Sequence, residues 1–153
     1  RNAIIVGGWF SHVLADHLAG VLRQIRPRVR AIPPVPSERT AALADLRKRD
    51  AVVIFDFRRY ERDTLEFARA AHAASARIVL LTDPWLSPVA EIADAVLPAQ
   101  VSGPAPFESL TPTLAIVETL ITAVTESLGE DGVRRLERFG RMAEPWVRHR
   151  AED

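Results

Sequence analysis

The 153-residue chain predicts an α/β fold, a three-layer sandwich with a five-stranded parallel sheet in the order 2-1-3-4-5. Three observations predict it. Short apolar runs alternate with helix-period segments along the chain, which is the pattern of right-handed βαβ units. The runs at Ala51–Phe55 and Ile78–Leu81 are apolar on both faces, as central parallel strands must be. The runs end in polar or glycine-rich residues that feed a helix, and open sheets of this class bind ligands at those ends.

Asn2-Ala3-Ile4-Ile5-Val6 reads as the first buried strand. Gly7-Gly8-Trp9-Phe10-Ser11 turns the chain, and Val13, Leu14, Leu18, Val21 and Leu22 give a helical stripe over His12–Leu22. Val29–Ile32 is a short second strand, followed by the stiff extended loop Pro33-Pro34-Val35-Pro36. Ser37-Glu38-Arg39-Thr40 offers capping residues for a helix to about Arg49. Ala51–Phe55 is the third strand, and the helix after Thr64 runs to about Ala74. Arg77–Thr82 is the fourth strand. Ser87 is an N-cap and Pro88 a first helical residue for a short helix to about Ala93. Ala95–Pro98 is a weaker fifth strand, and Val101–Pro106 is loop.

From Ser109 the longest helix carries Leu110, Leu114, Val117, Ile121, Val124 and Leu128, widened by Ile116, Leu120 and Ala123. Such a helix is either central to the core or shared with a partner subunit, which makes it a candidate dimer surface. Gly129 stops it. A final amphipathic helix sets Val133, Leu136, Phe139, Met142 and Trp146 against many arginines, read as a solvated face.

The hydrophobic fraction of 48% and charged fraction of 26% are those of an ordinary globular domain. Lys+Arg and Asp+Glu both number 20, which argues against a nucleic-acid module held by bulk charge. With no cysteine, disulfides, thiolate metal sites and cysteine nucleophiles are excluded. The four histidines, His12, His17, His72 and His149, lack metal-ligand spacing and read as surface or packing residues. No metal and no cofactor is expected. No apolar run approaches the ~18 residues of a membrane span, and no signal-peptide pattern opens the chain, so a cytoplasmic protein is expected. The first residue is Arg1, almost directly against a strand, and the chain reads as a single domain, 1–153, cut from something longer.

Four loops converge at the carboxyl ends of the strands. At the first, the glycines let a backbone approach a ligand, and the helix start offers unpaired N–H groups to an anion. Gly8 and Ser11 are its candidate contacts; the plainer reading is a tight turn with Ser11 as N-cap. The second, Asp56-Phe57-Arg58-Arg59-Tyr60-Glu61-Arg62-Asp63-Thr64, carries Arg58 and Arg59, whose planar guanidiniums can grip a phosphate or carboxylate. Thr64 can cap the following helix; the plainer reading of the loop is a solvated basic stretch pairing with its own carboxylates. The third, Thr82–Pro88, is favoured as a rigid turn shaping a pocket wall. The fourth is Phe107-Glu108-Ser109, where Ser109 is an N-cap or an anion donor. Glu108 is a general base or merely favourable charge at a helix start.

Together these loops resemble the sugar isomerase (SIS) domain of RpiR-type bacterial transcriptional regulators, over roughly Asn2–Leu128. The family's first loop, G-x-G-x-S-x-x-x-A, is matched at Gly7, Ser11 and Ala15, with Trp9 at the second glycine. The segments Thr82-Asp83, Ser87-Pro88-Val89-Ala90 and Ala93-Asp94-Ala95-Val96-Leu97 are similar to the family's T-D-x-x-x-S-P-x-A…A-D-x-x-L. Phe107-Glu108-Ser109 before a long apolar helix also fits. The departure is the second loop. Phosphosugar-binding members carry S-x-S-G-x-T there; here Asp56-Phe57-Arg58-Arg59-Tyr60-Glu61 changes all four signature positions. Such an F-R-R-Y form is associated with a subset of RpiR-type regulators. Arg58 or Tyr60 is then expected to fill space that the glycine leaves open.

The resemblance implies a flavodoxin-like SIS fold and an effector-sensing, dimerising domain of a transcriptional regulator. Its ligand would be a phosphosugar or other anionic carbohydrate-derived metabolite, held by Gly8, Ser11, Arg58, Arg59, Thr64, Glu108 and Ser109. Its partners would be a second copy of the chain and DNA, the latter only through a helix-turn-helix domain upstream of Arg1; no membrane is implied. Two other classes stand beside it: a sugar-phosphate isomerase or lyase with Glu108 as proton-transfer base, and a dimerisation module without ligand.

Overall fold

The computed structural model describes residues 1–103 and 106–148. Residues 104–105 of the Val101–Pro106 loop and His149 lie outside the described residues. The elements in order are β1 (Ala3–Gly7), α1 (His12–Ile25), β2 (Val29–Ile32), α2 (Pro36–Ala44), β3 (Ala51–Phe55), α3 (Arg62–Ala73), β4 (Arg77–Thr82), a 3₁₀ turn (Pro88–Glu91), β5 (Ala95–Pro98), α4 (Thr111–Leu128) and α5 (Glu130–Arg148). The five strands form one sheet in the order β2-β1-β3-β4-β5, every pair parallel. Ile4 sits opposite Arg30 and Val52, and Val52 opposite Ile78, so the central strands start level and end level.

Strand alternation divides the core in two. Ala3, Ile5, Val53, Phe55 and Leu81 face α1 and α4, where Leu14, Leu18, Leu22, Ile25 and Val117 meet them. Ile4, Val6, Val52, Ile54, Ile78 and Leu80 face the other layer, filled by Ala42, Phe67, Ala68, Ala71 and Val89. This is the expected three-layer sandwich.

The element limits differ from the sequence reading in instructive ways. The helix expected to Arg49 ends at Ala44, because its polar surface leaves only Arg39 and Ala42 to bury. The segment to Ala93 closes as a single 3₁₀ turn, with the Ser87 hydroxyl accepting from Val89 N–H as expected of a cap. The long helix α4 contributes to the core: Val117 is buried, and Leu110, Leu114, Ile116, Leu120, Ile121, Val124 and Leu128 are partly buried against the α1 side. The exposed apolar row lies instead on α5, at Val133, Leu136, Phe139, Met142 and Trp146. Gly129 takes a positive φ of 52° between the two helices, as a helix stop requires. Arg135 then donates to the Arg23 carbonyl and ties α5 to the end of α1.

Candidate functional site

The loops after β1 and β3, with the segment before α4, enclose a cavity of about 610 Å³. Gly8, Ser11, Arg58, Arg59 and Glu108 line it, with Phe10, Asp56 and Phe107 among their neighbours. Most of the residues singled out from sequence therefore meet in one place. Thr64 and Ser109 do not line it. Thr64 is fully buried in the first turn of α3, and the N-cap position belongs to Glu61, so it does not cap the helix. Ser109 is not the N-cap of α4 either, since that position is Leu110; its Oγ accepts from Thr111 N–H at 3.3 Å, a local bond just before the helix.

The first loop is built by close approach. A Cβ on Gly7 would stand 2.7 Å from the Cα and N of His12, so only glycine lets β1 pass this near the start of α1. Ser11 is buried and its hydroxyl is used twice: it accepts from Gly8 N–H at 3.0 Å and donates to the Phe55 carbonyl at 3.1 Å. It makes no side-chain cap bond to α1. Ser11 thus ties the first loop to the end of β3. Trp9 N–H donates to Glu61 Oε1 at 2.8 Å, placing an internal carboxylate against the glycine turn.

The second loop is held from the third. Asp83 is fully buried and accepts from Arg58 N–H (2.6 Å), from the Tyr60 hydroxyl (2.6 Å) and from Trp85 N–H (3.0 Å). Ser87 N–H donates to Thr82 Oγ1 at 3.1 Å, and the Ser87 hydroxyl donates to Asp56. The T-D-x-x-x-S-P segment, read from sequence as a rigid wall, is therefore the frame on which the rebuilt loop hangs. The loop takes positive φ at Arg58 (30°) and Tyr60 (39°), a conformation that side chains occupy only when surrounding bonds fix it. Tyr60 points its hydroxyl to Asp83 and does not line the cavity, so of the two residues expected to fill the missing glycine's space only Arg58 borders it.

Burial pushes the Asp56 carboxyl above its ordinary range, against the Ser87 hydroxyl and Glu61 N–H that favour its charge; Glu61 and Asp83 add repulsion. Burial also pushes the Tyr60 phenol up, helped by its bond to Asp83. Arg58 reaches across the cavity mouth. Its guanidinium carbon stands 4.8 Å from the Trp85 ring centre, and Nη1 lies 3.3 Å from Glu108 Oε1. Arg59 stands 5.1 Å over Phe10. Both guanidiniums are solvent-accessible and lie against aromatic faces, Arg58 being also paired with Glu108. Among the described residues no group of three or more His, Asp or Glu side chains is placed to hold a metal ion. No described helix is long and apolar enough to cross a membrane.

Asp83, Tyr60, Asp56 and Ser87 are positioning residues whose pairings the sequence does not reveal, although Asp83 and Ser87 stand in its T-D-x-x-x-S-P segment. Pairing them requires knowing that β3 and β4 are neighbours.

The SIS domain family model matches residues 1–123. Among solved structures, the sugar isomerase domain of an RpiR transcription factor from Sphaerobacter thermophilus is 30% identical, with a TM-score of 0.85 over 92% of this chain and 79% of that one. The Vibrio vulnificus NanR protein complexed with ManNAc-6P gives a TM-score of 0.81 at 17% identity over 95% of this chain, which spans 56% of NanR. A Methanococcus jannaschii protein whose structure was taken to imply a 3-hexulose-6-phosphate isomerase gives 0.66 at 16% identity, over 88% of this chain and 77% of that one. At such identities the last two speak for the fold alone. No curated protein matches the chain.

Proposed function

This chain belongs to the SIS domain family, and from that membership we propose that it is the effector-sensing and dimerising part of a transcriptional regulator. The effector is an anionic carbohydrate-derived metabolite, a phosphosugar being the leading case. The observation that carries this reading is the cavity at the strand ends with two accessible, aromatic-backed guanidiniums, Arg58 and Arg59, on its rim. The RpiR transcription factor domain, and the ManNAc-6P held by NanR on the same fold, support it.

The ligand's anionic group meets Arg58 and Arg59, and competes with Glu108 for Arg58 Nη1. Gly8 lines the wall beneath, and Ser11 keeps that wall joined to β3. Thr64 and Ser109 act in the scaffold, not on the ligand. The output is a population shift: occupancy favours one dimer geometry, and that geometry sets DNA affinity. DNA contact comes from a helix-turn-helix domain upstream of Arg1, in a protein working in the cytoplasm; the sequence of the full-length gene product tests that part.

Thermal-shift titration with sugar phosphates and sugar acids tests the sensing role. At least one anion raises the melting temperature of the wild type, and the Arg58→Ala, Arg59→Ala double variant loses that shift. If no anion stabilises the wild type more than the double variant, the reading is wrong. The isomerase reading rests on Glu108 standing in the cavity. Its carboxylate is however engaged by Arg58, and a proton-transfer base would have to give up that contact. Turnover of an aldose or ketose phosphate that Glu108→Gln abolishes would reinstate it.

A further inference from the structure

A second cavity, of about 690 Å³, lies between α2 and α3. Pro34, Pro36, Arg39, Thr40 and Leu43 line one side; Glu61, Asp63, Glu66 and Phe67 line the other, and Trp9 closes one end. Glu61 stands in the wall between the two cavities, since it borders both. Its bond to Trp9 N–H keeps that wall shut.

Arg39 is the unusual member. It is only 7% exposed, yet no carboxylate lies within ion-pair distance of it among the described residues. Nη2 donates to the Gly7 carbonyl at 3.1 Å, while Nε is buried without a partner among the described residues. A buried guanidinium with an unused donor is expensive, and such groups are normally paired or bonded throughout. Burial pulls its pKa down, offset by the more distant charges of Glu61, Asp63 and Asp56. Arg39 therefore brings a largely buried, incompletely bonded guanidinium to the wall of this cavity, with Nε itself enclosed by protein.

The rim has the opposite sign. Glu61 and Asp63 face the same space, and Glu66 is shared with Arg69 at 3.1 Å. A simple anion would pass carboxylates to reach Arg39, and a simple cation would be repelled by the floor. One molecule that carries both charges satisfies both ends, with its carbon frame against Trp9, Leu43 and the proline rings. A volume of this order is ordinary for a small-molecule site.

We infer that the cavity between α2 and α3 is a second ligand site, taking a small zwitterion with one carboxylate and one ammonium group, as in a free amino acid. The carboxylate pairs with Arg39, and the ammonium group with Glu61 and Asp63. The inference is independent of the sensing role proposed for the other cavity.

The Arg39 Nε–H signal in proton–nitrogen NMR spectra of the 1–153 chain reads the site directly. It is titrated with a panel of free L-amino acids, with acetate and methylammonium as the two half-ligands. At least one amino acid shifts the signal saturably and binds at least about tenfold more tightly than either half-ligand. By calorimetry, Arg39→Met abolishes that binding and Asp63→Asn weakens it about tenfold. Asp63 is exposed on the rim, so Asp63→Asn decides the matter even where Arg39→Met fails to fold. The Arg58→Ala, Arg59→Ala double variant binds the amino acid unchanged. The inference is overturned if no amino acid saturates the signal, if the zwitterion binds no better than its halves, if Asp63→Asn binds as the wild type does, or if removing Arg58 and Arg59 abolishes binding.

Discussion

Both carboxylate oxygens of Asp83 are engaged, Oδ2 by Arg58 N–H and Oδ1 by the Tyr60 hydroxyl and Trp85 N–H. Removing the acceptor strands two backbone donors and a phenol at the end of a buried strand. Asp83→Ala is expected to lower unfolding stability by about 3 kcal/mol, and Tyr60→Phe, which removes a single bond, by about 1.5 kcal/mol. Urea titration measures both; equal costs would mean that Asp83 does not organise the loop. Asp56 gives a pH signature. Its folded-state pKa is raised, chiefly by burial, so the folded chain holds the Asp56 proton more tightly than the unfolded chain. That contribution to stability is full below the ordinary carboxylate pKa and is lost as pH rises through the folded value. Asp56→Asn removes this fall, and melting temperature followed across acid pH detects the flattening against wild type.

At the scale of elements, the junction of β1 with α1 is the tightest joint around the site. A Gly7 Cβ would meet backbone atoms of His12 at 2.7 Å, and backbone cannot rotate away as a side chain can. Gly7→Ala is expected to cost about 2 kcal/mol in denaturant unfolding, and to displace Gly8 and Ser11 so that anion binding weakens with it. A fully stable variant with unchanged ligand affinity would contradict this. The two C-terminal helices treat their apolar rows differently. The strongly apolar α4 is spent on the α1 face of the sheet, while the arginine-rich α5 keeps its apolar row outward.

At the scale of the whole molecule, that outward row is an exposed apolar surface on which the proposed homodimer is tested. Phe139 and Met142 sit mid-helix, 43% and 66% exposed, flanked by charges of both signs, a pattern that self-association in antiparallel register can use. A Phe139→Glu, Met142→Glu variant is expected to sediment as a monomer with its fold intact, whereas wild type sediments as a dimer. A variant that remains dimeric would place the interface elsewhere. The sheet itself makes the candidate site possible: parallel strands deliver the loops after β1 and β3 to one edge, where both line one cavity.

Periodicity and the doubly apolar runs determined the sheet, its order and its two helical layers, because burial on both faces admits few other arrangements. Strand-end position and the two arginines determined where the candidate site lies. The tertiary structure alone decided how the site is held. Asp83 against Tyr60, Ser87 against Asp56 and Glu61 against Trp9 join residues that are remote in sequence and meet only because β1, β3 and β4 are neighbours. It also decided that Thr64 is buried away from the cavity, that α5 leaves its apolar row exposed, and that Arg39 is buried without an ion partner among the described residues. A residue's type sets what it can bond to; only the folded chain sets which partner comes within reach.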